Sequence, residues 1–565
     1  MTTSLNGLWD FEFLGDVAVE AIDPSGTAAT GKMPVPSAFD ALPDYAGRRG
    51  AAIYRTRFTA SPNHPVRLEF GAVSFWCRVY VDGMFLAEHA CGYSPFTVDV
   101  PGAAGETREL TVLLDNRFDF ARVPMHEEYF DFYQYGGILR EVTLRELPVS
   151  GPFVDAVQVT PTADFRRGEV EISLFLGGTV PATIAFTTRF DQGAIQRHQA
   201  AVEPGNRVRI TLCVPGAKPW SPDSPHLHEL AAALCDQDGR PRGDTVKARF
   251  GLRRIESRQG ALLLNGEKLQ LRGYNRHEWH PSCGPCTSPM QMVADLQLLR
   301  DLGCNFVRGC HYPQDQRFLD LCDEFGFLVW EENLGWGQRE QTLTDPKFRR
   351  DHLAALREMV RASFNHPSVI IWGFLNEAGT NQDYARPVIE ETVETLRALD
   401  PSRLVTYATM FPTTDKHYDL VDIISLNIYP GWYECEGVEH PLDLIAPRIE
   451  ECMAYLDAHC WVDKPVLLSE IGAEGLYGWH DPHNDFFSEE HQAEYLRRAA
   501  SAAMHHPRCS GIALWQFCDV RTYGGGRSIK RPRTFNNKGT LDEYRRPKAA
   551  YRAVREVFRA AKSNP

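Results

Sequence analysis

From about residue 251 onward, short apolar runs alternate with amphipathic stretches, and the alternation repeats eight times. The candidate strands are KLQLRGYN, NFVRGC, FLVWEE, SVIIWGFLNE, LVTYAT, DIISLNIY, PVLLSEIG and GIALWQFCD, each followed by a helical stretch or a long loop. The fifth and sixth runs lack a clear long helix between them. Eight such units in residues 251–565 predict a closed (β/α)8 barrel. In that architecture the C-terminal ends of the strands, and the loops after them, carry the chemistry.

A chain of 565 residues exceeds what one hydrophobic core supports, so further domains are expected ahead of the barrel. Up to about residue 150 the runs are short and alternating, as where Val66, Leu68 and Phe70 are separated by Arg67 and Glu69, which predicts a β-sandwich over 1–150. VEISLFLGG, PATIAFTTRF and RVRITLCVP continue the pattern over 151–250 and predict a second, smaller sandwich of immunoglobulin size. Neither part shows a long helix.

The net charge of -14 argues against a surface that gathers nucleic acid or anionic lipid. The opening MTTSLNGLWDFEF has neither a basic nor an apolar leader segment, and no stretch approaches the length needed to cross a bilayer, so the expected location is the cytoplasm. The 14 cysteines are scattered through predicted strands and helices, which suits reduced thiols. Cys283 and Cys286 form a CGPC, but no thioredoxin-like plan surrounds it and no second CxxC follows to complete a zinc site. The run Gly524 to Gly526 reads as a flexible loop rather than a phosphate cradle.

Two carboxylates fall where a barrel places its chemistry: Glu377 ends the fourth run as LNE, and Glu470 ends the seventh as LLSE. Glycoside cleavage through a covalent intermediate needs one carboxyl to protonate the leaving oxygen and another to attack the anomeric carbon, about 5 to 5.5 Å apart. Mutual repulsion helps keep one protonated while the other is ionised. Asn376, beside the proposed acid, is placed to donate to a sugar hydroxyl next to the reacting carbon. Arg308, His311 and Tyr312 cluster at the end of the second run and are expected to line the pocket, with Arg308 beside Glu470.

After the eighth run comes RTYGGGRSIKRPRTFNNKG, a cationic loop on an acidic chain, which suggests an anionic substrate. Lys538, with Asn536 two residues earlier, offers a sugar carboxylate a fixed cation and a neutral donor.

LRGYNRHEWHP, NFVRGCHYP, IIWGFLNE and LLSEIG, in this order, closely resemble the motif set of glycoside hydrolase family 2. CGYSPFTVDV and YFDFYQYGGILREV resemble the family's first domain, and PWSPDSPHLHEL, Pro219 to Leu230, its second, so the resemblance covers essentially the whole chain. It implies a sugar-binding-like jelly-roll sandwich over 1–150, an immunoglobulin-like sandwich over 151–250 and a catalytic TIM barrel over 251–565. It also implies a retaining hydrolase with Glu377 as acid/base and Glu470 as nucleophile. Asn376, His311, Tyr429, Tyr433 and Trp515 are implied to contact or shape the sugar site. Asp131 resembles the acidic residue that the first domain inserts towards it. Asn536 and Lys538 resemble the uronate clamp of the family's β-glucuronidases, so β-D-glucuronides are the expected substrates, as small molecules or oligosaccharides.

The chain departs from that branch in having Pro532 four residues before Asn536, flanked by Arg531 and Arg533, which leaves their contact with the carboxylate open. Arg339, after the third run, could favour galacturonate with its axial O4, and a β-D-galacturonidase is the alternative. NRHEWHP is similar to the β-galactosidase branch, but EENLGWG lacks the His of that branch's magnesium site, so neither an essential metal nor a cofactor is expected. Family members are commonly dimers or tetramers, which implies a homo-oligomer. A carbohydrate-binding protein without turnover is disfavoured by the intact carboxylate pair, and a lyase or aldolase by the lack of a strand-end lysine.

Overall fold

Alternating burial along the early strands folds the N-terminal part of the chain into two facing antiparallel sheets. Val66–Phe70 buries Val66, Leu68 and Phe70 and turns Arg67 and Glu69 outward. One sheet orders Thr2–Ser4, Val142–Glu146, Val66–Phe70 and Phe96–Val100; the other orders Gly31–Val35, Gly7–Gly15, Ala51–Thr59, Thr107–Asp115, Trp76–Val81 and Met84–His89. Trp9, Phe11, Tyr54, Leu68, Val79 and Val112 fill the space between them. The structure is a computed structural model and describes residues 2–102, 107–127, 130–236, 238–433, 435, 437–523 and 531–563. Gly524 to Gly526, and with them part of the cationic loop, lie outside the described residues.

The second sandwich packs Pro152–Pro161, Glu169–Gly178 and Arg207–Cys213 against a sheet of Gln196–Ala201, Thr183–Phe190, His228–Cys235 and Pro241–Phe250. Eight parallel strands then close into a barrel: β1 Leu271–Arg276, β2 Phe306–Gly309, β3 Leu328–Glu332, β4 Val369–Asn376, β5 Leu404–Thr409, β6 Ile424–Asn427, β7 Val466–Glu470 and β8 Cys509–Leu514. Each overlaps a run picked out in the sequence, and only a 3-10 turn at Tyr418–Leu420 lies between β5 and β6.

One strand assignment needs correction. KLQLRGYN is not one strand: Glu267–Leu269 belongs to a three-stranded meander with Ile255–Arg258 and Ala261–Leu264, and the barrel begins at Leu271. The reason is burial, because Ile255, Leu262 and Leu264 join Leu271, Phe306 and Leu328 in one core cluster.

A segment from the first sandwich reaches across to the barrel mouth. Phe130, Phe132, Tyr133 and Tyr135 join the barrel's main core, Trp279 Nε1 donates to the Tyr135 hydroxyl at 3.0 Å, and buried Arg140 pairs with Glu278 at 2.9 Å. Among the described residues no helix is long and apolar enough to cross a membrane, and the 14 cysteines are free thiols.

Candidate active site

The C-terminal ends of β4, β6 and β7 and the loop after β8 converge on a cleft of 1610 Å³ lined by Glu377, Glu470, Tyr429, Tyr433, Trp515, Asp131, Arg339 and Arg531, among others. Glu377 follows β4 directly in the left-handed region, φ 50°, with its N–H bonded to the Ala408 carbonyl of β5 at 2.9 Å. A positive φ at a residue other than glycine is uncommon, and such strain concentrates at functional sites.

Glu470 is held from two sides. Arg308 Nη1 donates to its Oε1 at 2.8 Å, and the Tyr429 hydroxyl donates to its Oε2 at 2.7 Å. Arg308 is wholly buried and organises the floor of the site: it also donates to Glu332 Oε2 at 2.8 Å, Asn376 Oδ1 at 2.8 Å and Asn275 Oδ1 at 3.1 Å. A guanidinium's rigid fork suits a buried hub that must satisfy several oxygens at once.

Glu377 is held differently. Burial, and then the charge of Glu470, raise its pKa to about 7, against smaller opposing contributions from Asn427 and Arg308. Asn427 Nδ2 donates both to Glu377 Oε1 and to Asn376 Oδ1, each at 3.0 Å, while Ser469 Oγ donates to Asn427 Oδ1 at 2.7 Å. With Asn376 Oδ1 thus occupied, its Nδ2 is buried and has no partner among the described residues. A buried donor left open beside two carboxyl groups is suited to a ligand hydroxyl.

His311 hydrogen-bonds Glu332 at 2.8 Å, and burial followed by Arg308 lowers its pKa to about 3, so the ring is neutral. It stacks on Trp515 at 5.3 Å between centroids, and His277 meets the same indole edge-on at 5.6 Å. Trp515 is thereby fixed as a wall of the cleft.

At the other end, Asp131 receives Arg531 Nε at 2.9 Å and Asn536 Nδ2 at 2.7 Å. Lys538 Nζ donates to the Tyr433 hydroxyl at 2.8 Å, and Arg531 reaches the same oxygen at 3.2 Å. Arg531 also pairs with buried Glu474, and Lys538 lies 3.7 Å from it. Two cations and two anions therefore share this end. Arg339 lines the cleft and donates to the backbone carbonyl of Glu377.

The structure thus gathers Glu377, Glu470, Asn376, His311, Tyr429, Tyr433, Trp515, Asp131, Asn536, Lys538 and Arg339 around one cleft. Tyr312 is a correction: it stacks on Tyr93 at 4.2 Å and its hydroxyl accepts from the Glu278 N–H, so it fastens the two domains rather than lining the pocket. The two flanking arginines separate, with Arg531 in the cleft and Arg533 turned away to Glu543. Asn427, Glu332 and Glu474 escaped the sequence reading. Asn427 and Glu332 sit at strand ends, a signal available in SLNIY and VWEE, whereas nothing local distinguishes Glu474. Among the described residues, His277, Cys310 and His311 bring potential metal-ligand atoms within 4.8 Å of one another, and so do Asp320, Asp323 and His366.

Comparison with known proteins places these observations in a family. Residues 255–563 match the model for glycosyl hydrolases family 2, TIM barrel domain, and residues 153–253 match that for glycosyl hydrolases family 2. The chain is 28% identical to a β-glucuronidase from Chlorocebus aethiops, over 93% of this chain and 85% of the relative. Its fold is similar to that of a family 2 β-galacturonidase from Eisenbergiella tayi bound to galacturonate, with 34% identity, a TM-score of 0.88 and coverage of 99% and 97% of the two chains. It is also similar to a β-glucuronidase from Faecalibacterium prausnitzii, with 28% identity, a TM-score of 0.84 and coverage of 100% and 98%.

Proposed function

The chain is a glycoside hydrolase of family 2, and from that membership and the geometry of the cleft we propose that it cleaves β-linked uronides with retention of configuration. The observation that carries the reaction type is the unequal pair: Glu377, whose pKa burial raises to about 7, lines the same cleft as Glu470, which Arg308 and Tyr429 hold at both oxygens. Glu377 gives its proton to the leaving oxygen while Glu470 attacks the anomeric carbon, so the aglycone departs as an alcohol and a glycosyl ester forms. Glu377, now a carboxylate, takes a proton from water, and the resulting hydroxide equivalent releases the sugar and frees Glu470. The open Asn376 Nδ2 receives a sugar hydroxyl, and Trp515 forms the wall beside it.

The uronide part rests on Lys538 and Arg531, two cations meeting at the Tyr433 hydroxyl. Charge-assisted contacts of this kind select a carboxylate over a neutral hydroxymethyl group. Within the uronides, galacturonide is the second reading beside glucuronide. Arg339 gives the cleft a donor for telling apart two sugars that differ only at C4, and the similar galacturonidase shares more residues, 34%, than the glucuronidases named above.

The test is kcat/KM on the p-nitrophenyl β-D-glucuronide, β-D-galacturonide and β-D-galactoside, with Lys538→Ala alongside. A uronide should win, and the variant should lose most of that activity. Preference for the galactoside, or a harmless Lys538→Ala, would refute the uronate assignment.

A further inference from the structure

At the ends of β1 and β2, three buried side chains with nitrogen and sulfur donor atoms come together. His277 follows β1, and Cys310 and His311 follow β2; they are 2%, 0% and 1% exposed, and their potential ligand atoms lie within 4.8 Å of one another. Trp515 and Glu470, which line the cleft, touch this group: both imidazoles pack on the indole, and His311 Nε2 lies 4.0 Å from Glu470 Oε1.

His277 Nε2 is buried and has no hydrogen-bond partner among the described residues, which is costly unless something binds it. His311 meets Glu332 through Nδ1 at 2.8 Å, the carboxylate–imidazole arrangement that orients a metal-binding histidine and leaves Nε2 as the ligand atom. Arg308 is shared between Glu332 and Glu470, each at 2.8 Å, so one cation faces two carboxylates and the surroundings favour a positive ion. The group of Asp320, Asp323 and His366 is different, because its donors are already engaged. Asp320 accepts from Arg249 at 2.6 Å, and Asp323 bonds the Ser368 N–H at 3.0 Å and His366 Nδ1 at 2.6 Å.

We propose that His277, Cys310 and His311 form a buried site for a zinc-class divalent ion, and that its occupation inhibits the enzyme. One thiolate and two imidazoles are a set that zinc takes in tetrahedral coordination with a fourth position left over. Bonds of about 2.0–2.3 Å put tetrahedral ligands roughly 3.3–3.8 Å apart, so the group closes by up to about 1 Å on binding. Cys310 gives its proton to solvent as the metal–sulfur bond forms, and neither partner is oxidised. A divalent charge beside Glu470 draws that carboxylate away from the carbon it attacks. The inhibition rests on the reading of Glu470 as the nucleophile of a uronidase; the ion site itself does not.

The experiment titrates chelator-treated enzyme with Zn²⁺ by calorimetry and with Co²⁺ by absorption, beside Cys310→Ser, His277→Gln and Cys283→Ser/Cys286→Ser. Retained secondary structure by circular dichroism establishes that each variant folds, and either ligand variant decides the matter if the other does not. The native enzyme should bind Zn²⁺ at a site that Cys310→Ser or His277→Gln weakens by about 100-fold or more, since even a residue that only supports a ligand is worth about 10–100-fold in affinity. Co²⁺ should give a thiolate-to-cobalt charge-transfer band that Cys310→Ser removes. The CGPC variant should keep both signals. Zn²⁺ should also slow turnover of the preferred glycoside, each protein being read against its own metal-free rate, and half-inhibition should need about 100-fold more Zn²⁺ in Cys310→Ser. No Zn²⁺ bound, binding unchanged by both ligand variants, loss in the CGPC variant, or binding without inhibition overturns the proposal. A Cys310-dependent ion site in an enzyme that turns over galactosides alone defeats the uronate reading only; a uronidase without that site defeats this proposal only.

Discussion

Asp131 and Arg531, 400 positions apart in the chain, meet as a two-point ion pair, with Arg531 Nε on Oδ1 at 2.9 Å and Nη2 on Oδ2. One comes from the segment that the first sandwich extends over the barrel, the other from the loop after β8. This end of the cleft therefore exists only when the two domains are packed together.

Removing Arg531 leaves Asp131 and Glu474 at that end with Lys538 as the remaining cation between them. Arg531→Ala should lower kcat/KM on the preferred uronide by about 10- to 100-fold, since a hydrogen bond to a charged group is worth about 1.5–3 kcal/mol. The p-nitrophenyl galactoside, which carries no carboxylate, should lose much less. Equal losses on both substrates would mean that Arg531 only supports the fold.

The raised pKa of Glu377 sets an upper limit to the active pH range. The proton that the leaving group needs is present below a pKa of about 7 and lost above it, so kcat/KM should fall on the alkaline side with a midpoint near that value. Asn427 donates to the carboxylate form and lowers the pKa, so Asn427→Ala should move the alkaline limb upward. A downward shift would contradict the hydrogen-bond assignment.

The two carboxylates should separate kinetically. Glu377→Gln removes acid catalysis, worth about 10²–10⁴-fold, from substrates with poor leaving groups, yet should spare much of the first step for 2,4-dinitrophenyl glycosides. Glu470→Gln should abolish turnover of both. Mass spectrometry of a native enzyme inactivated by a 2-fluoro-uronyl fluoride should find the label on Glu470; a label elsewhere assigns the nucleophile to another residue.

Tyr429 donates to Glu470 Oε2 at 2.7 Å. Tyr429→Phe keeps the ring and removes one hydrogen bond to a charged group, worth about 1.5–3 kcal/mol, so kcat/KM should fall by about 10- to 100-fold. An undiminished rate would show that Arg308 alone is enough to orient the carboxylate.

Much of this arrangement is legible in the chain. The eight apolar runs mark the eight barrel strands, because a strand buried by the barrel's own closure must be apolar along its length. A carboxylate that interrupts such a run at its C-terminal end, as Glu377 and Glu470 do, stands out because burying it without a chemical use is costly. The split of KLQLRGYN between meander and barrel was not legible, since no glycine or proline separates Leu269 from Leu271 and only closure of the sheet distinguishes the two pieces.

The residues around the carboxylates follow a different rule. Asn427, Glu332 and Glu474 look ordinary in sequence, and Tyr312 looks like a pocket residue while it stacks on Tyr93 of the first domain. Which of Arg531 and Arg533 enters the cleft depends on where Asp131 and Glu474 stand, and they come from other segments of the chain. Periodicity thus determines the barrel, and the strand-end carboxylates mark a candidate pair, from sequence alone, because burial acts on each segment locally. The partners that set protonation, orientation and substrate charge are decided by tertiary structure, because electrostatic and hydrogen-bond energies depend on distance in space rather than separation along the chain.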